Sequence, residues 1–349
     1  MAASKNAGAL SIAGRAIAPG ERVQLKIPVG RRVSGNEASL PVEVIRGTRP
    51  GATLFLSAAI HGDEINGVEI IRRILRNRAL RSLSGSLIAV PIVNLFGFVG
   101  LSRYLPDRRD LNRSFPGSPH GSLASRLANI FMSEIVTQST HGIDLHTGAV
   151  HRSNLPQIRA WLDDADTARL AHAFGAPVIL NSNLRDGSLR QEVLERSVPV
   201  LLYEGGEALR FDEPAIRAGV RGVLAVMEAL GMMPAATAPP TGPKPYVARS
   251  SHWVRAPESG ILRARARLGS AVRSGQRLGV IADPLGSEEV VLRASRDGLV
   301  IGRTELPLAN EGDALFHIAS FERPIQVASA VADFQENLEG VASGDPTPG

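Results

Sequence analysis

The segment Thr53-Leu-Phe-Leu-Ser-Ala-Ala-Ile60, followed directly by His61-Gly62-Asp63-Glu64, decides the fold of this chain and places its candidate active site. An uncharged run of this length, rich in apolar side chains, is typical of a strand buried on both faces of a sheet. The next segment, Val68–Leu75, has the periodicity of an amphipathic helix. His61 and Glu64 therefore lie in a strand-to-helix turn, where open α/β sheets place their active sites.

A second strand-like run ends in Asp144-Leu145-His146. Two histidines and one glutamate form a complete three-ligand set for a catalytic zinc, and the fourth coordination position is left for a water whose pKa zinc lowers to about 7. The H-x-x-E motif by itself is a weak signal, because a surface histidine beside an acidic turn gives the same pattern. We expect one Zn²⁺ per chain, held by His61, Glu64 and His146.

Strand-like and helix-like segments alternate from residue 41 to residue 235. This alternation predicts an α/β catalytic domain with a mixed central sheet flanked by helices. The strand predictions are 40–45, 53–60, 86–93, 142–146, 177–180 and 199–203, and the helix predictions are 66–79, 122–138, 164–174, 187–196 and 213–231. Residues 1–40 are predicted to form a leading β segment packed on this main body.

A proline-rich linker at 236–245 is expected to separate the catalytic domain from a smaller all-β, barrel-like domain at 246–325. In this second region a pattern of glycine turns and short apolar runs occurs twice. The region resembles a biotinyl- or lipoyl-type hammerhead barrel, but a carrier needs an attachment lysine and none follows Lys244. We expect a lid, a wall of the site or an oligomer contact instead. The tail at 326–349 is expected to be frayed and flexible.

The composition argues against large charged partners. The chain has 349 residues and a formal net charge of +5, but its arginines are dispersed and aromatic residues make up only 4%. A nucleic-acid surface needs clustered charge and stacking side chains, so none is expected. We find no apolar stretch that approaches the length of a membrane span, which is about 20 residues. We also recognise no secretory signal, and the sequence contains no cysteine. We expect a cytoplasmic protein that acts on a small molecule, and homo-oligomerisation is left open.

Two further segments carry polar residues suited to amide chemistry. The loop at 102–117 contains Asn112 and Arg113, which can hold a carboxylate by charge-assisted hydrogen bonds, and Arg103, which can reach a carbonyl oxygen. Glu204 emerges from the buried strand at 199–203 onto two glycines. A carboxylate there can take a proton from water and pass it to a leaving amine. The alternatives are a polar surface loop for the first segment and a salt bridge or loop cap for Glu204.

Together these segments resemble the succinylglutamate desuccinylase/aspartoacylase family, within the zinc carboxypeptidase superfamily. The matching motifs are H-G-D-E at 61–64, R-Y at 103–104, D-L-N-R-x-F at 110–115, D-L-H-T-G at 144–148 and Y-E-G-G at 203–206. They occur in family order and extend over most of the predicted catalytic domain.

The resemblance implies a role for each matching residue. His61, Glu64 and His146 would be the zinc ligands, and Glu204 the general base and acid. Arg103 would polarise the scissile carbonyl, although the segment between Arg103 and Asn112 is longer than in aspartoacylase. Asn112 and Arg113 would clamp a substrate carboxylate.

Several residues near the third ligand receive less specific predictions. Asp144 is expected to orient a metal ligand, with a strand-end cap as the alternative. Residues 151–159 are predicted to be a loop, with His151, Arg152, Asn154 and Arg159 as candidates to face the substrate and Arg159 as the predicted substrate-binding residue. Plain surface exposure is the alternative for each of them. The remaining histidines are expected to be ordinary surface or satisfied core residues; they are His120, His141, His172, His252 and His317.

The sequence therefore predicts a zinc-dependent amidohydrolase, acting on linear amides, that deacylates a small N-acyl amino acid or a related amine. Two alternatives stay open: a zinc carboxypeptidase acting on short peptides, and a non-catalytic binding protein for an acidic ligand. The acyl group and the amine half of the substrate are not fixed, and an acetylated diamino acid remains among the candidates.

Overall fold

The computed structural model describes residues 10–31, 33–182, 185–234, 244–248 and 250–340. It has a mixed central sheet flanked by helices and an antiparallel β region toward the C-terminus, which confirms the predicted fold class. Within the described residues the α-helices are α1 (Asn66–Leu75), α2 (Leu95–Val99), α3 (Leu123–Glu134), α4 (Ala165–Phe174), α5 (Leu189–Glu195), α6 (Glu213–Ala229) and α7 (Pro324–Gly340). Short 3-10 helices lie at Arg78–Ser82, Leu111–Arg113 and Val136–Gln138.

The strands of the described residues fall into one large sheet, one small sheet and a short hairpin. In chain order they are β1 (Ser11–Ile12), β2 (Arg15–Ala16), β3 (Arg22–Arg31), β4 (Glu37–Arg46), β5 (Arg49–Ala58), β6 (Ser84–Val90), β7 (His141–Gly148), β8 (Arg152–Ala160), β9 (Val178–Asn181), β10 (Val200–Glu207), β11 (Tyr246–Ala248), β12 (Ser250–Arg255), β13 (Gly260–Ala264), β14 (Ala271–Val272), β15 (Arg277–Ala282), β16 (Glu289–Arg293), β17 (Gly298–Thr304), β18 (Leu308–Ala309) and β19 (Ala314–Ser320).

The large sheet has the order β12-β19-β17-β8-β10-β7-β5-β6-β4-β3. Its centre, β10-β7-β5-β6, is parallel, and the strands on either side of this centre pair antiparallel. Parallel neighbours bring their carboxyl ends to one edge, so β5, β7 and β10 deliver the residues that follow them to the same place.

Helices cover both faces of the parallel centre. Leu54 and Leu56 of β5 belong to one apolar core, and Phe55, between them, belongs to the other. Alternate side chains of a strand point to opposite faces, so this division is the expected result of burial on both sides. Phe55 is packed edge-on against Phe131 of α3, with ring centroids 5.8 Å apart.

Side-chain caps begin the helices α3, α4, α5 and α6, and Asn94 caps the short helix α2 in the same way. The side chains of Ser122, Asp164, Ser188 and Asp212 each accept a hydrogen bond from a backbone N–H in the first turn of α3, α4, α5 and α6. Such caps satisfy donors that have no partner inside the helix, which fixes where the helix begins.

The prediction of a loop at 151–159 is wrong, because these residues belong largely to β8. Polar residues interrupt the apolar pattern of this strand, and Pro156 is a poor strand former. The strand is nevertheless central: it pairs with β10 on one side and with β17 on the other. Of its polar side chains, Asn154 and Gln157 are buried, and the partly buried Arg159 lines the candidate site.

The predicted frayed tail is wrong for the residues that α7 contains. Val327 and Val331 pack into a cluster with β8, β9 and the C-terminal strands, while Phe334 and Leu338 join the main core. These four residues lie three or four positions apart, the spacing of an amphipathic helix. Residues 341–349 lie outside the described part of the chain.

The region after residue 246 is continuous with the main sheet. β17 pairs with β8, and β11 pairs with β9, so strands before and after the predicted linker share one sheet. Most of the predicted linker at 236–245 lies outside the described residues. Among the residues that are described, no helix is both long enough and apolar enough to cross a membrane.

Candidate active site

Three buried side chains converge where β5 and β7 end. The Nδ1 atom of His61 is 2.6 Å from Oε1 of Glu64, and the Nδ1 atom of His146 is 2.7 Å from Oε2 of the same carboxylate. One potential ligand atom from each residue lies within 4.8 Å of the others. This group can therefore hold a metal ion.

A carboxylate lies behind each imidazole. Asp144 is 2.6 Å from Nε2 of His146 and accepts a second hydrogen bond, of 2.7 Å, from the hydroxyl of Ser57. Asp110 approaches Nε2 of His61 at 3.4 Å. A carboxylate at Nε2 favours the tautomer with the proton on that nitrogen, which leaves the Nδ1 lone pair for a metal. The contact of Asp144 with His146 is the geometry that the predicted orienting role requires. Asp110 is a second carboxylate near an imidazole, which the sequence analysis did not single out, but its contact with Nε2 of His61 lacks hydrogen-bond geometry.

The electrostatics of this group favour positive charge between the imidazoles. Burial acts to raise the pKa of Glu64, but the adjacent His61 and His146 outweigh it and hold that pKa below its ordinary value. Burial acts to lower the pKa of His146, yet the charges of Asp144 and Glu64 raise it well above the ordinary value. Two imidazole nitrogens and one carboxylate form a donor set that a divalent metal ion such as zinc can use.

Glu204 lies beside the group because of strand register. It pairs with His146 of the parallel strand β7, and paired residues project from the same face of a sheet. Its carboxylate is 3.0 Å from Nε of Arg159 and also accepts a hydrogen bond from Nδ2 of Asn154. A bulge between β10 and β8 places an extra residue in β8, so that Asn154 and Arg159 both project toward Glu204.

The loop after α2 supplies the other predicted site residues. Arg103 contacts Asp110 at 2.9 Å through one terminal nitrogen and Glu64 at 3.4 Å through the other. Asn112 is buried, and its Oδ1 accepts a hydrogen bond of 2.9 Å from the backbone N–H of Leu189. The guanidinium of Arg113 donates to the backbone carbonyl of Asn112 at 2.5 Å.

All the predicted site residues line one cavity of about 620 Å³. Other residues of its lining were not predicted: Thr147, Asn181, Ser182, Arg185, Ser188, Arg190, Leu202, Ser251, Trp253 and His317. The expectation for His317 is wrong, since it is neither a surface residue nor a satisfied core residue. Its side chain is buried and its Nδ1 has no hydrogen-bond partner among the described residues. The C-terminal β region therefore forms a wall of the site.

Comparisons with known proteins agree with this architecture. The model of the succinylglutamate desuccinylase/aspartoacylase catalytic domain matches residues 50–230. The N-alpha-acetyl-L-2,4-diaminobutyric acid deacetylase of Halomonas elongata is 29% identical over 309 residues, which cover 84% of this chain and 90% of that protein.

Two solved structures are similar over most of their length. The crystal structure of a succinylglutamate desuccinylase/aspartoacylase from Rhodobacter sphaeroides has a TM-score of 0.77 at 27% identity, with 86% of this chain and 95% of that one covered. The product-bound structure of the ectoine utilization protein EutE (DoeB) from Ruegeria pomeroyi has a TM-score of 0.78 at 25% identity, with 87% and 98% covered.

Proposed function

Because this chain belongs to the succinylglutamate desuccinylase/aspartoacylase family, we propose that it is a zinc-dependent amidohydrolase of small N-acyl amino acids or related amines. The observation that carries the proposal is the convergence of His61, Glu64 and His146 beside Glu204, in one cavity. The name of the Halomonas elongata relative, a deacetylase of an N-acetylated amino acid, supports the same reaction class.

The three candidate ligands fit a zinc ion. Both histidines present Nδ1 toward the carboxylate of Glu64, and Asp144 holds the opposite nitrogen of His146. When bound, zinc would supply Lewis acidity toward the substrate carbonyl and toward the attacking water. We propose one zinc per chain, held by His61, Glu64 and His146.

The residues around the ligands would divide the remaining work. Glu204 accepts a proton from the attacking water and donates it to the amine as the amide C–N bond breaks. Arg103 stabilises negative charge that develops on the carbonyl oxygen. Asn112 and Arg113 hold a carboxylate of the substrate, and Arg159 keeps the carboxylate of Glu204 in place while it contributes to substrate binding.

The same assignment gives a separate role to each of the two main regions of the chain. We propose that residues 41–235 carry the catalytic groups and that the β region at 246–325 completes the pocket, since it contributes Ser251, Trp253 and His317. The cytoplasmic location, the absence of nucleic-acid and membrane partners, and the state of oligomerisation stay predictions from the sequence.

A hydrolysis screen separates this function from its two alternatives. The zinc-loaded protein is assayed against N-acetyl and N-succinyl amino acids and against short dipeptides. Turnover of acyl amino acids with inert dipeptides supports the proposal, and the reverse supports a carboxypeptidase. A metal-free binding protein would hydrolyse neither class and would keep its ligand after chelation.

A variant tests the assignment of Glu204. Glu204→Gln keeps the shape of the side chain but removes the proton acceptor, so turnover should fall by about 10²–10⁴-fold while zinc content stays at the wild-type level. The matched control is Glu258→Gln, an exposed glutamate of the β region, which should keep full activity. Unimpaired turnover in Glu204→Gln would remove this residue from its role.

A further inference from the structure

A second cavity, of about 830 Å³, lies at the end of the parallel centre that is opposite the candidate active site. β5 begins at this cavity with Arg49 and ends at Ala58, three residues before His61. α1 begins two residues after Glu64 and ends at Leu75, which lines the same cavity. A strand of ten residues spans about 30 Å, so a ligand bound in this cavity would not touch the candidate metal ligands.

Close packing of two turns shapes the cavity. Its walls come from three segments, at 20–22, at 45–49 between β4 and β5, and at 75–83 after α1. The backbone N–H of Gly47 donates a hydrogen bond of 2.8 Å to the carbonyl of Gly85, and a Cβ atom at Gly47 would clash with the carbonyl oxygen of Leu83. Only glycine permits this approach, so the backbone itself brings the second and third walls together.

The walls of this cavity carry a strong positive charge. Six arginines line it, and no carboxylate belongs to the lining that the structure describes. These arginines come from three separate stretches of the sequence, and the fold gathers them around one space. We call this space the arginine cavity, after its lining residues Arg22, Arg46, Arg49, Arg76, Arg78 and Arg81.

Two of these arginines are held in place by neutral groups. Arg46 donates a hydrogen bond of 2.5 Å to the backbone carbonyl of Ile17, and Arg49 donates one of 3.0 Å to the backbone carbonyl of Ser82. A guanidinium group has five N–H donors, so each of these side chains keeps donors for a ligand. Because a carbonyl carries no net charge, these bonds orient the guanidinium groups without neutralising them.

One arginine of the cavity has a counter-charge within the described residues. Arg22 forms a salt bridge of 2.5 Å with the buried Glu43. In the same part of the chain, the side chains of Arg76, Arg78 and Arg81 have no hydrogen-bond or ion-pair partner. All the guanidinium groups except that of Arg22 are therefore uncompensated and repel one another. An anion that contacts several of them would relieve this repulsion, and a guanidinium group matches phosphate oxygens with paired N–H donors.

The shape of the cavity favours a compact ligand with several charges. Its volume falls within the range of small-molecule sites, which is about 300–1,000 Å³. A duplex nucleic acid instead needs charge that is spread along a surface. A chain of two or three phosphates is short and carries charge on each phosphate, so it can contact arginines of more than one wall at once. A single phosphate or carboxylate reaches fewer of them.

We propose that the arginine cavity binds an oligophosphate group, a chain of two or three phosphates that belongs either to a nucleotide or to an inorganic polyphosphate. Among the described residues, none lines both this cavity and the candidate active site. The proposal therefore stands apart from the proposed function, and either can fail without the other.

Isothermal titration calorimetry with ATP and with sodium tripolyphosphate tests the proposal and distinguishes the two sources. We expect one molecule bound per chain, with a Kd at least about tenfold below that of inorganic phosphate. A Kd for tripolyphosphate no higher than that for ATP indicates an inorganic chain, and a lower Kd for ATP indicates a nucleotide. The proposal is overturned if neither probe binds at millimolar concentration, if inorganic phosphate binds as tightly, or if duplex DNA displaces the probe at a lower concentration of phosphate groups.

A titration of Glu64→Gln separates this cavity from the candidate metal site. The variant is measured beside the zinc-loaded wild type, because both probes chelate zinc and the variant is expected to release little. The arginine cavity does not contain Glu64, so the variant should bind the probe with the same stoichiometry as the wild type. Loss of binding in Glu64→Gln would place the phosphates at the metal ligands and overturn the proposal.

Paired substitutions assign the binding to the cavity. Arg78→Gln combined with Arg81→Gln should raise the Kd at least about tenfold, because each change removes a charged donor. Both side chains are exposed, so the Tm without ligand should stay at the wild-type value. The matched control, Arg263→Gln combined with Arg265→Gln, removes the same charge from exposed positions at β13 and directly after it, and should keep the Kd. An equal rise in both pairs, an unchanged Kd in the first pair, or a Kd raised equally by Arg113→Gln in the candidate active site would each overturn the proposal.

Discussion

The hydrogen bond between Asp144 and His146 allows a quantitative prediction about metal affinity. Its partners are 2.6 Å apart, and Asp144 is only 3% exposed, so little water screens the interaction. Asp144→Asn keeps the volume but removes the charge that favours a proton on Nε2 and a lone pair on Nδ1. Loss of such a partner costs about 10–100-fold in metal affinity, or about 1.4–2.7 kcal/mol. Competition with a chromogenic zinc chelator at neutral pH measures the change directly.

The chain contains a matched control for this experiment. Asp166 of α4 is 3.0 Å from Nε2 of His141, an aspartate–histidine pair outside the cavity. Asp166→Asn should leave zinc affinity at the wild-type value. If Asp144→Asn binds zinc as tightly as Asp166→Asn does, the orienting role of Asp144 is refuted.

Two further predictions concern the scaffold. Arg73 of α1 forms two hydrogen bonds of 2.7 Å with Glu213 of α6, and this contact helps lower the pKa of Glu213 from 4.5 to about 2. Because Glu213 is 44% exposed, Glu213→Gln should lower the free energy of unfolding by only about 0.5–1 kcal/mol. A lowered carboxylate pKa stabilises the fold above pH 4.5, so the difference between variant and wild type in urea unfolding should shrink as the pH falls toward 2. A difference that does not depend on pH would contradict this. Gly142→Ala would bring a Cβ atom to 2.1 Å from the ring of Phe55. Thermal unfolding should therefore show a loss of about 1–3 kcal/mol in the free energy of unfolding, and a second substitution, Phe55→Leu, should restore part of it. An unchanged Tm would show that the core yields more easily than its packing indicates.

The parallel centre of the fold could be predicted because its sequence signals are local. Uncharged, largely apolar runs mark β5 and β10, and the polar residues that follow these runs mark the site. The spacing of Asp144 and His146, two residues apart on β7, puts both on one face of the sheet by the alternation of strand side chains. The strands β5 and β10 and the shared face of Asp144 and His146 could therefore be predicted without knowledge of distant contacts.

The rest of the site depends on tertiary structure. The strand β8 has a mixed polar pattern because one face borders the cavity, and a bulge disturbs its alternation. His317 reaches the pocket because its strand β19 pairs with β17, which pairs with β8, which in turn pairs with β10. The sequence around residue 317 does not indicate any of these pairings. Arg185 looks like any of the dispersed arginines until the loop before α5 brings it to the cavity.

The account depends most on a single ion bound by His61, Glu64 and His146. Elemental analysis after dialysis against metal-free buffer should find one zinc per chain in the wild type and a greatly reduced content in Glu64→Gln. Glu69→Gln, a neighbouring glutamate paired with Arg72 and Arg73, should keep the wild-type content. A wild-type protein that retains no zinc after loading, or a full equivalent of zinc in Glu64→Gln, would contradict the account.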